Sequence, residues 1–169
     1  MIRKAQIEDI SALNKLVNSA YRGESSKRGW TTEEHLLGGV RTTEDMLLQT
    51  LSTPSVSILV FVEKEAILGC VSLEKRADSL YLGMLTVSPE LQGGGIGKKL
   101  LAASEAFARD VQSEKITMTV ISVRQELIAW YERCGYHATG EKKPFPMNNP
   151  KFGEPKQFLE FIVMEKIIV

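Results

Sequence analysis

Residues 79–110 read SLYLGMLTVSPELQGGGIGKKLLAASEAFARD, and this stretch decides the fold. It opens with a β-rich run at residues 80–87 that Ser88-Pro89 ends, because proline has no N–H to donate to a sheet ladder. Four glycines follow within the five residues 93–97. Apolar side chains then recur at spacings of three and four, which predicts an amphipathic helix with one apolar face. These side chains are Ile96, Leu100, Ala103, Phe107 and Val111.

The glycine-rich turn between the predicted strand and the predicted helix is the first candidate binding site. Glycine loses more conformational entropy on ordering than any other residue, so a run of glycines indicates a structural or functional need. Without side chains the main chain can approach a ligand closely, and the first amides of a helix have no intrahelical partner. Together these groups predict a site for an anion such as a pyrophosphate. A tight turn without a ligand is the alternative interpretation.

Two common phosphate-binding motifs do not fit this turn. A Walker-type loop needs glycine five residues before the Gly-Lys pair and Ser or Thr after it, but Gln92 and Lys99 occupy these positions. A dinucleotide fingerprint fits at Gly93 and Gly95 but has Lys98 at the third glycine position. The sequence therefore argues against a nucleotide fold at this turn.

The turn does contain Gln-x-x-Gly-x-Gly, at Gln92, Gly95 and Gly97, between a strand and a helix. This arrangement resembles the coenzyme A loop of the GNAT superfamily of N-acetyltransferases. Residues 129–136, AWYERCGY, resemble a second segment of that family, in which a helix carries a tyrosine toward the coenzyme A sulfur. The two segments stand in the family's order, and the match extends over the whole chain. One difference is Arg124, because many members have asparagine seven residues before the tyrosine.

The resemblance implies acetyl-CoA as the co-substrate and assigns a set of site residues. Tyr131 is expected to be catalytic, giving its proton to the departing thiolate, and the oxyanion donor is expected near Leu85. A core aromatic residue without a chemical role is the alternative for Tyr131. The residues expected to bind acetyl-CoA are Leu85, Thr86, Val87, Gln92, Gly93, Gly94, Gly95, Ile96, Gly97 and Lys98.

The remaining patterns predict a single domain over residues 1–169. Further β-rich runs lie at residues 2–5, 57–63, 68–75, 115–123, 136–139 and 158–166, and further helical patterns follow residues 9, 31, 43 and 125. With the resemblance, these runs imply an α/β (α+β) fold of the GNAT type. Its central sheet is mixed, mostly antiparallel and of about seven strands flanked by helices, with one parallel strand pair at the acetyl-CoA site.

Composition excludes several other classes of protein. Lys plus Arg and Asp plus Glu number 21 each, so the net charge is zero and no nucleic-acid partner is indicated. The longest clean apolar run, residues 58–62, is too short to span a membrane, and the N-terminus has no signal-peptide core. Two cysteines fit reduced thiols in a cytoplasmic protein, and two isolated histidines indicate no metal site. The sequence leaves open whether the chain forms a homodimer.

The acceptor side of the expected reaction is less well defined. Residues 21–45 form a polar connection in which Trp30, Glu33 and Glu34 are candidate substrate contacts, with the carboxylates facing a cationic amine. A solvated helix–loop–helix is an equal alternative. Tyr81, acting through water, is a further candidate, and the general base is not identified. Residues 142–155, rich in proline, are predicted to form an ordered, irregular loop over the cleft.

Together these observations predict an acetyl-CoA-dependent N-acetyltransferase that moves an acetyl group to a primary amine, of a small molecule or a protein, by direct attack. Cys134 is a poor candidate for an acyl-enzyme, because no histidine stands at a suitable spacing to activate it. The alternative is a non-catalytic coenzyme A-binding sensor or regulatory module of the same fold. A nucleotide-binding protein is a third interpretation.

Overall fold

The computed structural model describes residues 1–21, 37–38, 41–145, 154–156 and 159–168. Nine strands lie in these ranges: β1 (Ile2–Lys4), β2 (Leu37–Gly38), β3 (Val56–Glu63), β4 (Ala66–Lys75), β5 (Ser79–Val87), β6 (Lys115–Ile121), β7 (His137–Pro144), β8 (Glu154–Pro155) and β9 (Glu160–Ile167). Seven of them form one sheet in the order β1-β3-β4-β5-β6-β9-β7, and β2 pairs with β8 separately. The predicted mixed sheet of about seven strands is confirmed.

Four α-helices of the described residues cover the faces of this sheet: α1 (Ile10–Tyr21), α2 (Glu44–Leu51), α3 (Ile96–Asp110) and α4 (Gln125–Arg133). The predicted apolar stripe of α1 is buried, and Thr43 caps α2 by accepting a hydrogen bond from the Met46 amide. The helix predicted to begin at Thr31 lies outside the described residues. Within the described ranges, no helix combines the length and the apolar character that crossing a membrane requires.

Strands β3, β4 and β5 follow one another as an antiparallel meander, as their short connections predict. The two faces of the meander pack into different cores. Leu59 and Phe61 of β3 belong to the core under α3 and α4, whereas Ile58 and Val60 belong to the core under α1 and α2. This alternation follows from the two-residue period of a strand, and it explains why the run reads as continuously apolar.

The functional region begins where β5 and β6 separate. They are the parallel pair of the sheet, joined by α3, and their register contains only Ser79↔Lys115, Leu80↔Ile116 and Tyr81↔Thr117. Beyond Tyr81 the two strands have no paired residues, although β5 continues to Val87 and β6 to Ile121. The strands therefore form a fork whose open end lies between the carboxyl ends of β5 and β6.

A β-bulge interrupts β5 at this fork. The register with β4 passes from Gly83↔Ser72 to Thr86↔Cys70, so β5 carries one extra residue, and Met84 has a φ of 52°. One extra residue reverses which face of the sheet each side chain meets. Leu82 packs toward α3 before the bulge, Met84 packs toward α1, and Leu85 packs toward α3 after it. The bulge therefore sets the direction of the main chain at Leu85.

Two details of the predicted fold are wrong. The buried side chains of α3 are Ile96, Leu100, Leu101, Ser104 and Ala108, so the buried face is rotated from the predicted stripe, and Ala103, Phe107 and Val111 lie at its margin. Strand β7 does not end at Thr139. It continues to Pro144 through an irregularity between Ala138 and Lys142, where Gly140 has a φ of 92°. The glycine read as a strand end is part of a bulge.

Candidate active site

A cavity of about 520 Å³ lies between the amino-terminal end of α3 and helix α4. The end of β5 forms its floor through Leu85 and Val87, and the glycine-rich segment and α4 form its two sides. Lys98 at the start of α3 and Arg133 at the end of α4 also line it. We call this space the loop cavity.

The glycine-rich segment has a main-chain conformation that glycine favours. Gly93 has a φ of 92° and Gly95 a φ of 89°, and a Cβ built on either residue would meet no atom within 4 Å. Space is therefore available for a side chain at both positions, and the backbone conformation is the reason for glycine. Gln92 holds the segment against the strand, because its side-chain amide donates to the Val87 carbonyl at 3.1 Å.

The first helical hydrogen bond of α3 runs from the Lys99 amide to the Gly95 carbonyl at 3.1 Å. The amides of Ile96, Gly97 and Lys98 come before this hydrogen bond. They have no acceptor within the helix, because no helical residue lies one turn before them. Gly97 allows a close helix contact, since a Cβ there would lie 3.3 Å from the Trp130 ring. Unpartnered amides, the positive end of the helix dipole and the Lys98 ammonium give this end of the cavity the character of an anion site.

Most of the residues predicted to bind the coenzyme line the loop cavity. Two do not. Thr86 is 2% exposed, and its hydroxyl donates to the Met84 carbonyl at 3.0 Å, so its side chain points away from the cavity. Gly94 is likewise absent from the lining. The residues that the structure does bring together are Leu85, Val87, Gln92, Gly93, Gly95, Ile96, Gly97 and Lys98.

A second cavity, of about 270 Å³, lies at the fork between β5 and β6. We call it the fork cavity. Tyr81 and Thr119 stand on its two strands, and their hydroxyls are 2.7 Å apart. Arg41 and Arg124 also line it, together with an apolar group: Met118, Phe145 and Phe161.

The two cavities share four lining residues: Tyr21, Leu85, Leu127 and Tyr131. The bulge residue Leu85 and the Tyr131 side chain therefore stand where the two spaces adjoin. A group entering from the loop cavity and a group entering from the fork cavity would meet there. This juncture is the place at which two substrates can react.

Tyr131 is 6% exposed and makes edge-on contacts with Trp130 and Tyr136, at ring-centroid distances of 5.1 and 5.8 Å. Burial raises the pKa of the Tyr131 phenol well above its ordinary value, the neighbouring phenols of Tyr21 and Tyr136 raise it further, and Arg124 opposes these effects. The phenol therefore stays protonated at neutral pH. It can donate a hydrogen bond to a charge that develops beside it.

Tyr21, the last residue of α1, is a site residue that sequence reasoning missed. Its hydroxyl donates to the Leu85 carbonyl, which ties α1 to the bulge. It is the first residue of the polar connection at residues 21–45, in which only Trp30, Glu33 and Glu34 were singled out as substrate contacts. Arg41 and Phe161 come from separate segments that only the fold brings together, and sequence reasoning assigned no role to either. Trp130 stands beside Tyr131 in residues 129–136, and Phe145 lies in the loop predicted over the cleft, but neither ring was singled out.

The other candidates have mixed outcomes. Tyr81 lines the fork cavity as a substrate contact should, but its hydroxyl is engaged with Thr119. Trp30, Glu33 and Glu34 lie outside the described residues, and their role stays a prediction. Arg124, which stands at the family's asparagine position, is 7% exposed and lines the fork cavity. It therefore belongs to the wall of the fork cavity and not to that of the loop cavity.

The cysteines and the metal-binding side chains add no further site. Cys70 and Cys134 are both free, and burial raises the pKa of the Cys70 thiol to about 12, which makes it a poor nucleophile. Burial also raises the pKa of Cys134. In the part of the chain that the structure describes, no group of three or more His, Cys, Asp or Glu residues is arranged to hold a metal ion.

Comparison with known proteins identifies the family. Residues 14–136 match the model of the acetyltransferase (GNAT) family. An IAA acetyltransferase of Azospirillum brasilense is 25% identical over 146 residues, covering 85% of this chain and 84% of the relative. Among solved structures, a ribosomal-protein-alanine N-acetyltransferase from Brucella melitensis has a TM-score of 0.74 at 22% identity, with 99% of each chain covered.

A second solved structure is the PaiA N-acetyltransferase of Thermoplasma acidophilum in complex with coenzyme A. It has a TM-score of 0.68 at 18% identity and covers 99% of this chain and 98% of its own. At these identities both structural matches speak to the fold alone. The family match extends over well more than half of the chain, and the matched range contains Tyr131 and all the other residues that line the loop cavity. The chain therefore belongs to the acetyltransferase (GNAT) family and is an N-acetyltransferase that transfers an acetyl group from an acyl-coenzyme A.

Proposed function

We propose that the chain transfers the acetyl group of acetyl-CoA to a primary amine by direct attack, with the coenzyme in the loop cavity and the amine in the fork cavity. The observation that carries this proposal is the juncture of the two cavities at Leu85 and Tyr131. Direct attack requires both substrates to be present at once with their reacting atoms in contact. Two adjoining cavities provide that arrangement.

The residues of the loop cavity fit the pyrophosphate of acetyl-CoA. The Gly93 and Gly95 conformations leave the main chain open to a ligand, and the amides of Ile96, Gly97 and Lys98 have no helical partner. A solved structural neighbour holds coenzyme A, which supports the same use of the fold here. The thioester then supplies the acetyl group at the inner end of the cavity.

We place the oxyanion donor at the Leu85 amide. Residues 84 and 85 fall outside the registers of β5 with both β4 and β6, and the bulge fixes the direction of the main chain there. Tyr21 holds the next peptide group by donating to the Leu85 carbonyl. A donor fixed in advance stabilises charge that develops in the transition state without reorganising.

The amine nitrogen forms a bond to the carbonyl carbon, the carbon–sulfur bond breaks, and the electron pair leaves on sulfur. The nitrogen gives one proton to solvent as it becomes the amide, and the sulfur takes up one proton from solvent to leave as the free thiol. Tyr131 then donates to that sulfur. Because burial raises the phenol pKa, complete proton transfer to a thiolate with a pKa near 8.5 is uphill, so hydrogen-bond donation is the larger part of its role. The amine must arrive neutral, and a lysine-like amine with a pKa of about 10.4 needs help to lose its proton at pH 7.

The test is Tyr131→Phe, assayed for free thiol release with acetyl-CoA and a panel of primary amines. Turnover should fall about 10²-fold or more, whereas coenzyme affinity measured by calorimetry should stay within about twofold. Tyr136→Phe is the matched control, since its buried hydroxyl has no hydrogen-bond partner among the described residues and lines neither cavity. Unchanged turnover in Tyr131→Phe would remove the role of the phenol.

A further inference from the structure

We propose that the amine acceptor carries an anionic group, a carboxylate or a phosphonate, which Arg41 binds in the fork cavity. This inference rests on the proposed acetyl transfer and adds the class of acceptor. It arises from the charges of the described residues around the fork cavity. They are positive, whereas a cationic amine without an acid group would need negative charges beside it.

The described residues that line the fork cavity include two arginines, Arg41 and Arg124, and none of them is acidic. A protonated amine entering this space would meet positive charge. The charge therefore favours an acceptor with a negative group.

Arg41 is held in place at the edge of this cavity. Its amide donates to the side-chain oxygen of Asn18 at 2.6 Å, and the Asn18 side-chain nitrogen donates to the Thr42 carbonyl at 3.0 Å. Its guanidinium carbon lies 5.6 Å from the centre of the Tyr21 ring. The side chain is half-buried, and no carboxylate of the described residues pairs with it. A partly desolvated guanidinium beside the Tyr21 ring, on a main chain held by Asn18, suits the two oxygens of a carboxylate or phosphonate.

The size and the walls of the cavity favour a small acceptor. A volume of about 270 Å³ is just below the range of about 300–1,000 Å³ that is usual for small-molecule pockets. Met118, Phe145 and Phe161 provide an apolar surface for the body of the molecule. An amino acid with an apolar side chain has all three features: an amine, an anionic group and an apolar body.

The experiment compares three acceptors that share one apolar side chain: an α-amino acid, its aminophosphonate analogue and the amine that remains without the acid group. With the native protein, kcat/KM should be at least about tenfold higher for the two acidic acceptors. Arg41→Gln should lower kcat/KM for them about 10- to 100-fold, the usual range for a hydrogen bond between charged groups, and change the plain amine less than about threefold. The ratio between the two acidic acceptors identifies which anion the site takes.

Two further variants keep this test decisive. Arg41→Lys retains the charge but not the planar pair of donors, so it should recover only part of the preference. Arg109→Gln removes an exposed arginine that lines neither cavity and should change nothing. Coenzyme affinity checks that each variant is folded. Equal or greater activity of the native protein toward the plain amine, or equal losses for all three acceptors in Arg41→Gln, would overturn the inference. Absence of transfer to any amine would instead reject the proposed function.

Discussion

The loop cavity and the fork cavity adjoin at Tyr131, but they are built in different ways. Main-chain groups of one continuous segment provide most of the loop cavity: a strand end, a glycine turn and the first amides of α3. Side chains from distant parts of the chain provide the fork cavity, among them Tyr21, Arg41, Tyr81 and Phe161. Main-chain groups suit a ligand that is common to a whole family. A cavity built from side chains can change its ligand specificity by substitution of one residue at a time.

The largest effect that separates the two cavities is expected from Gly95→Ala. We expect the loop of the free variant to move away from the φ of 89°, so that coenzyme binding has to restore a left-handed conformation that costs an alanine about 1–2 kcal/mol. We expect the dissociation constant of coenzyme A, measured by calorimetry, to rise about 5- to 30-fold.

Gly140→Ala is its matched control. Gly140 has a φ of 92° and equal space for a Cβ, but it lies in the β7 bulge and lines neither cavity. Coenzyme affinity should be unchanged in this variant. An equal affinity in Gly95→Ala and the native protein would mean that the backbone of the loop does not bind the coenzyme.

A smaller effect is expected from Tyr21→Phe, which acts on the boundary between the cavities. The change removes the hydroxyl that donates to the Leu85 carbonyl and so loosens the bulge. One hydrogen bond contributes about 0.5–1.5 kcal/mol, so kcat should fall about 2- to 10-fold with little change in coenzyme affinity. Steady-state rates at saturating acetyl-CoA measure this. If kcat stays equal to that of Tyr136→Phe, the bulge does not depend on Tyr21.

Asn18→Ala should have a still smaller effect, confined to the fork cavity. Asn18 lines neither cavity, but its side chain forms hydrogen bonds with the main chain of Arg41 and Thr42. We expect KM for an acidic acceptor to rise about threefold, as for loss of one modest hydrogen bond, while kcat and coenzyme affinity are retained. A drop in coenzyme affinity as large as the change in KM would show that the two cavities are not independent.

Deprotonation of the Tyr131 phenol should cause no loss of activity within the usual pH range of an assay. Burial raises the Tyr131 pKa above the ordinary value of 10, so the folded protein keeps this proton where a free phenol would lose it. Activity should therefore rise with pH as the acceptor amine loses its proton, with no decline up to about pH 10. A decline below pH 10 in the native protein that Tyr131→Phe abolishes would contradict this.

The contrast between the cavities also explains what the sequence predicts well. The strand, the glycine turn and the helix are local patterns, and Gln92, Gly95 and Gly97 lie within one segment, so their arrangement follows from adjacency. The meander and the parallel pair follow from the connection lengths.

The parts that the sequence does not predict depend on long-range contacts. Arg41 and Tyr21 reach the fork cavity because α1 packs across the sheet beside the bulge, and no local pattern reports a bulge at Met84. The Gly140 bulge was read as a strand end because a glycine with a positive φ serves both purposes. The α3 stripe was misplaced because Ser104, although polar, is buried and donates to the Leu100 carbonyl within its own helix.

The most direct test is an initial-rate experiment in which acetyl-CoA and the acceptor amine are both varied. Two cavities that meet at Tyr131 require both substrates to be bound before any product leaves, so double-reciprocal plots should give intersecting lines. Parallel lines, the sign of a ping-pong reaction with an acyl-enzyme, would contradict the account. They would show that the acetyl group rests on the protein before the amine enters the fork cavity.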